Sequence, residues 1–138
     1  MRDERILFED IDSEGVVKIF GLVMTWGMQP NNITFNEHCF DRVKQRYVDK
    51  NSIYDTIISG KIIEFHVKGY SPRVLIRKRL KNQTKDLCVV LDIECGRVYT
   101  VFFNHSADKH ETLRKELYLE EMNVNEVIDE CIKHNNKK

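Results

Sequence analysis

Arg42 stands four positions after His38, and Arg46 four positions after Arg42. On a helix that spacing lines up one imidazole and two guanidinium groups along a single stripe. An imidazole titrates near neutral pH, so it can take or give a proton, and a guanidinium fork matches phosphate oxygens. The combination suits cleavage of an RNA phosphodiester. That reaction needs a base for the 2′-hydroxyl proton, a cation or donor for the charged phosphorane, and an acid for the departing 5′-oxygen. None of these roles requires a cofactor or a metal, and neither is expected.

Further candidates fall on strand-like segments. In Glu64-Phe65-His66-Val67-Lys68, alternation puts His66 with Glu64 and Lys68 on one face and Phe65 with Val67 on the other. Arg73, Arg77 and Arg79 share parity in the next apolar run and would form a phosphate track on one side of it. Thr100 is a candidate hydroxyl donor. Strict alternation groups it with Val98 and Phe102, and groups Tyr99 with Val101 and Phe103. Tyr99 and Tyr70 are possible stacking platforms for a base. Cys39 beside His38 does not make a thiol-imidazole pair, because neighbours on a helix point about 100° apart.

These residues need elements to hold them. Glu37 to Val48 has Cys39, Phe40, Val43 and Tyr47 at helical spacing, with Asn36 as its cap. A second short helix follows over Ile53, Ile57 and Ile58, capped by Asn51 or Ser52 and stopped by Gly60. Ile62–Lys68, Arg73–Leu80, Leu87–Glu94 and Arg97–Asn104 then read as four strands joined by turns, an antiparallel meander. Before them, Ser13 is a plausible cap for an apolar segment ending at Gly27, helical by spacing although its β-branched residues also suit a strand, and Ile33-Thr34-Phe35 is a short strand or extended lead-in. After them, Ala107 to Met122 reads as a charged helix, and Asn123 caps a last one over Val124 to Ile132.

Charge is uneven along the chain. The whole has 22 basic and 22 acidic residues, yet residues 15–104 hold 14 basic against 8 acidic. The excess allows a positive face on a neutral protein. Cys39, Cys88, Cys95 and Cys131 form no C-x-x-C pair, which argues against a disulfide framework and a thiolate zinc site. No apolar run approaches the roughly 20 residues of a membrane span. The acidic amino terminus lacks the order of a secretory signal, so a cytoplasmic location is expected.

Residues 33–65 resemble the opening of a large family of small bacterial and phage domains, with a helix motif H-x3-R-x3-R, a second short helix and then G-x-x-I. Val98-Tyr99-Thr100-Val101-Phe102 resembles the later V-x-T-V-[FY] segment of that family, and residues 38–46 are similar to the H-x-x-D-R-x-x-Q-R helix of RegB-like phage endoribonucleases. The family is grouped with the barnase, EndoU, colicin and RelE-like ribonucleases, many of them toxins. The resemblance implies a metal-independent endoribonuclease in which His38 and Arg42 belong to the active site, with Thr100 a weaker match. His66 completes the set by geometry, and Arg46, Arg73, Arg77 and Arg79 are the expected RNA contacts.

The fold expected is α+β in one domain: N-terminal helices packed on a four-stranded, mainly antiparallel sheet, with an added C-terminal helical segment. Residues 33–105 would form the core, 1–32 an amino-terminal extension and 106–138 a carboxy-terminal one. The expected partner is mRNA or tRNA, with an antitoxin or host protein as a further one. The alternatives are a non-catalytic inhibitor of a host machine, acting through the acidic ends, and an RNA- or ribosome-binding module on the same fold.

Overall fold

The computed structural model describes residues 2–45, 48–81, 83–105 and 114–137, with the side chains at 40, 42, 44, 45 and 115 outside that description. In chain order the elements are β1 (Asp3–Leu7), α1 (Ser13–Gly27), β2 (Thr34–Phe35), α2 (Glu37–Gln45), α3 (Lys50–Ser59), β3 (Lys61–Lys68), β4 (Ser71–Arg79), β5 (Lys85–Asp92), β6 (Arg97–His105), β7 (Tyr118–Leu119) and α4 (Val124–Asn135).

The seven strands make one sheet in the order β2-β6-β5-β4-β3-β1-β7. Its centre is the expected meander, β3 to β6, with each strand antiparallel to the next. The expectation of a four-stranded sheet is wrong. β1 pairs antiparallel with β3, while β2 and β7 add parallel pairs to β6 and β1, so the sheet is mixed. The physical reason is that β3 is apolar on one face and polar on the other and has a free side, which residues 3–7 fill. Residues 3–7, in the segment expected to be an extension, are therefore part of the sheet.

The charged helix expected over residues 107–122 is also overturned where the chain is described. Lys115–Leu117 is a single 3-10 turn, and Tyr118-Leu119 pairs with Arg5-Ile6. The Tyr118 hydroxyl donates to Glu64 Oε1 at 2.9 Å, a partner that an exposed helix would not offer it. Residues 106–113 lie outside the described residues.

One face of the sheet carries the core. Ile6, Phe65, Val67, Val74, Ile76, Leu87, Val89, Leu91, Val98 and Val101 are fully buried there. They meet Ile19 and Val23 of α1, Ile53 and Ile57 of α3, and Val124 and Ile128 of α4, which belong to the same apolar cluster. Each large apolar side chain so buried contributes about 1.5–3 kcal/mol. Caps set the helix starts. Asp12, one residue before the expected Ser13, accepts from the Gly15 N–H at 2.8 Å, Asp49 accepts from the Asn51 N–H at 3.0 Å, and Asn123 from the Glu126 N–H at 3.1 Å. No helix among the described residues is long and apolar enough to cross a membrane.

The β5–β6 turn depends on Gly96, whose φ is +73°. The Trp26 ring lies against it, and a β-carbon built there would sit 2.5 Å from that ring. Trp26 is itself fixed by its Nε1–H, which donates to the Ile93 carbonyl at 2.8 Å. Gly96→Ala is therefore expected to destabilise by about 1–2 kcal/mol through left-handed backbone, and by about 1–3 kcal/mol more through overpacking. A urea midpoint lowered at constant slope is the predicted signature. An unchanged midpoint would show that the turn and Trp26 move apart freely.

Candidate functional site

Opposite α1, α3 and α4, the other face of the sheet carries most of the polar strand residues, with Glu64, Arg77 and Asp92 buried among them. It holds a cleft of about 510 Å³ lined by Arg5, Asn36, His38, Cys39, His66, Lys68, Arg73, Val90, Tyr99 and Thr100. The register explains the gathering. Arg5 is opposite His66, His66 opposite Arg73, and Arg73 opposite Asp92, so these side chains lie in one row across β1, β3, β4 and β5.

Asn36 holds the α2 wall. Its backbone N–H donates to the Val98 carbonyl at 2.9 Å, and its side-chain Oδ1 accepts from the His38 N–H at 3.0 Å. One residue thus ties the chain to β6 and starts α2, which sets His38 at the cleft rim with its side chain exposed. Cys39, the next residue, is fully buried.

A bulge in β6 changes the parity expected from alternation. Leu91 is opposite Val98 and Val90 is opposite Thr100, so Tyr99 is an extra residue on β6. Tyr99 and Thr100 both line the cleft, while Val98 and Val101 are both fully buried on the core face. Alternation alone would have sent Tyr99 with Val101 and Thr100 with Val98.

Arg73 is held in place from two sides. Its guanidinium carbon lies 3.6 Å from the centroid of the Tyr99 ring. Its Nε–H donates to Ser71 Oγ at 3.0 Å, and the Ser71 hydroxyl donates to Asp92 Oδ2 at 2.6 Å. Asp92 Oδ1 accepts the N–H groups of Glu94 and Cys95 at 2.8 and 3.0 Å. Asp92, Glu94 and Cys95 offer possible metal-ligand atoms within 4.8 Å of one another. Both Asp92 oxygens are already engaged, however, and burial pushes the Cys95 thiol up to about 11, which favours the protonated form over a thiolate ligand. These contacts build the turn.

His66 has the most specific surroundings. Its side chain is 12% exposed, and its Nε2 lies 2.6 Å from Asp3 Oδ1 on β1. Burial is the main influence lowering its pKa, with the Arg5 charge in the same direction, and the Asp3 hydrogen bond opposes them without reversing the result. The hydrogen bond from His66 in turn holds the Asp3 carboxyl below its ordinary value. Next along the face, buried Glu64 takes Arg5 Nη1 at 3.3 Å and the Tyr118 hydroxyl at 2.9 Å. Burial and the Glu64 charge push that phenol up to about 12.

The cleft thus brings together His38, His66, Thr100 and Arg73 from the candidates named in the sequence. Arg42 lies on α2, but its side chain is outside the described residues, as is Arg46 altogether. Arg77 and Arg79 are not in the cleft. They share Arg73's side of β4 but lie toward its far end, where Arg77 Nε donates to Asp86 Oδ2 at 2.7 Å and Arg79 Nε to Asp86 Oδ1 at 2.8 Å. Arg77 is buried and also donates to the His105 carbonyl at 2.8 Å. The acid that ends the basic run in sequence is the one that neutralises both in space. Tyr70 stacks on His134, with centroids 3.5 Å apart, and is occupied there.

Sequence reasoning missed Asp3 and Arg5, and put Lys68 on the face of His66 without making it a site residue. Their signal was present but indirect: the polar face of Glu64-Phe65-His66-Val67-Lys68 needs a polar partner strand, and Asp3-Glu4-Arg5 supplies one. Among the described lining residues are three permanent cations, two imidazoles and no acid. Comparisons with protein family models, with curated proteins and with solved structures give no match to this chain.

Proposed function

We propose that this cleft binds and cuts RNA by attack of the 2′-hydroxyl on the adjacent phosphate, without a metal. The observation that carries the reading is the lining itself: two imidazoles from separate elements around a patch whose charged members, among the described residues, are Arg5, Lys68 and Arg73. In-line displacement puts the attacking and leaving oxygens on opposite sides of phosphorus, so base and acid must approach from opposite directions. His66 on β3 and His38 beside β6 line the cleft from opposite sides; their strands are three interstrand spacings, about 14 Å, apart, so both side chains must reach inward over Arg73 to bracket one phosphate. Arg73, braced by Tyr99 and Ser71, is the cation nearest the middle of the row and suits the phosphorane oxygens. Thr100 and the side chains of Tyr99 and Arg73 offer further contacts to sugar or base.

The products are a 2′,3′-cyclic phosphate and a 5′-hydroxyl. Purified protein is expected to cut total RNA in EDTA and to leave those ends, as read by end-group analysis. Intact RNA in EDTA at neutral pH would overturn the reading. RNA of the messenger or transfer class is the substrate proposed, and the likeness to RelE-like toxins makes a protein antitoxin a further proposed partner.

A second reading, a non-catalytic protein-interaction factor, has one observation in its favour. The outer side of α1 exposes Val17, Phe20 and Met24, continued by its cap residue Met28, and Val17 and Met28 are more than 70% exposed. Exposed apolar side chains at this spacing on one helix suit a protein contact. Intact RNA in the EDTA experiment would favour this reading.

A further inference from the structure

Resting on the RNA-cleaving reading above, we infer that Asp3 is the positioning residue that fixes His66 as the general base, so that the amino-terminal strand completes the active site. The 2.6 Å contact joins Asp3 Oδ1 to His66 Nε2. With Asp3 ionised, the shared proton sits on Nε2 and Nδ1 is left unprotonated, the atom that can accept a proton. A carboxylate on one ring nitrogen therefore selects the tautomer and orientation of the other.

The choice of Asp3 over Glu64 follows from what each carboxylate already holds. Glu64 lies on the same face as His66, but its oxygens are taken by Arg5 and by the Tyr118 hydroxyl. Asp3 is 57% exposed, and its Oδ1 holds the His66 imidazole. The charged groups that face the imidazole are Asp3 and Arg5 from β1, Glu64 and Lys68 from its own strand, and Arg73 from β4. Together with burial they leave it neutral at neutral pH, the form a base requires.

The reaction balances within the cleft. His66 Nδ1 takes the 2′-hydroxyl proton as the 2′-oxygen bonds to phosphorus. The bond from phosphorus to the 5′-oxygen breaks, and that oxygen leaves with a proton from the His38 imidazolium. The enzyme ends with His66 protonated and His38 neutral, and solvent exchange restores both.

Two measurements on the full chain separate this inference from the reading beneath it. The first is the NMR titration of the His66 ring in the wild type and in Asp3→Asn, with no RNA present. Loss of the carboxylate removes an influence that raises the His66 pKa, so its midpoint is expected to fall. The second is kcat/KM for a short RNA against pH. Asp3→Asn is expected to lower the plateau about 10- to 10²-fold and to carry the acidic limb to lower pH, in step with the NMR midpoint, while Asp3→Glu restores part of the rate. An unmoved His66 midpoint overturns the inference whatever the cleavage result. A wild type that cuts RNA, with an acidic limb unmoved by Asp3→Asn, overturns the inference and leaves the RNA-cleaving reading standing. A wild type that cuts nothing overturns both.

Discussion

His38→Ala and His66→Ala are each expected to lower the rate of RNA cleavage by about 10²- to 10⁴-fold, the usual worth of a positioned acid or base. The double variant is expected to fall far less than the product of the two losses, because residues acting in one step are not additive. His38 is exposed on the first turn of α2, so its loss should leave the urea midpoint near the wild-type value. His66 is mostly buried against β1, and His66→Gln is the matched control that keeps a polar group near Asp3 while removing the base.

Binding should respond differently from cutting. RNA affinity in the histidine variants should survive, since attraction comes from Arg5, Lys68 and Arg73. Its logarithm should fall linearly with the logarithm of salt concentration, with a slope of about −0.7 for each phosphate neutralised on a single strand. If either histidine variant cut RNA at the wild-type rate, that imidazole would have no part in the chemistry. If both bound RNA no better at low salt than at high, the cleft would not be a phosphate site.

How far these residues were legible in the sequence depends on the range of the interactions that place them. β3 to β6, α3 and α4 were readable because local alternation or helical spacing marks each one, and Asn36 was readable as a cap because capping is a contact across two residues. β1, β2 and β7 were not seen as parts of one sheet. β2 and β7 are two residues long, and all three exist through pairing with strands that lie far away along the chain. The site was divided in the same way. His38 could be proposed from its helix and His66 from its strand face, but Asp3 is 63 residues from the imidazole it holds. Tyr99 and Thr100 were placed on opposite faces because a bulge adds one residue without any turn signal in the sequence. The basic run was read without its acid for a related reason: a string of arginines shows charge but not the Asp86 that faces Arg79 across the β4–β5 hairpin.

That last correction predicts a large and separable effect. Arg77→Ala is expected to destabilise the protein by about 1–3 kcal/mol, the cost of taking away a buried guanidinium's charged hydrogen bonds, and to lower Tm by on the order of 5–10 °C. Arg77 is 7% exposed, and its guanidinium satisfies both Asp86 and the His105 carbonyl. Removal leaves the partly buried Asp86 carboxylate with Arg79 and takes a donor from the His105 carbonyl. Arg77→Met should cost less, because it fills the space and leaves Asp86 with Arg79. Arg79→Ala, at a half-exposed surface pair, should cost about 0–1 kcal/mol.

The pH dependence of this pair has a definite sign. Burial pushes the Asp86 carboxyl up, but hydrogen bonds from Arg79 and Arg77 outweigh it and hold the folded pKa below the ordinary value. A lowered folded pKa means stabilisation that is present above the unfolded value, about 3.9, and lost as pH falls through the folded one. The gap between wild type and Arg77→Ala should therefore be widest near neutrality and shrink below about pH 4. For either arginine variant, RNA affinity per folded molecule should match the wild type, since neither side chain lines the cleft. Affinity lost in Arg79→Ala at unchanged stability would restore the phosphate track along β4 and move the RNA path away from the row formed by Arg5, His66 and Arg73.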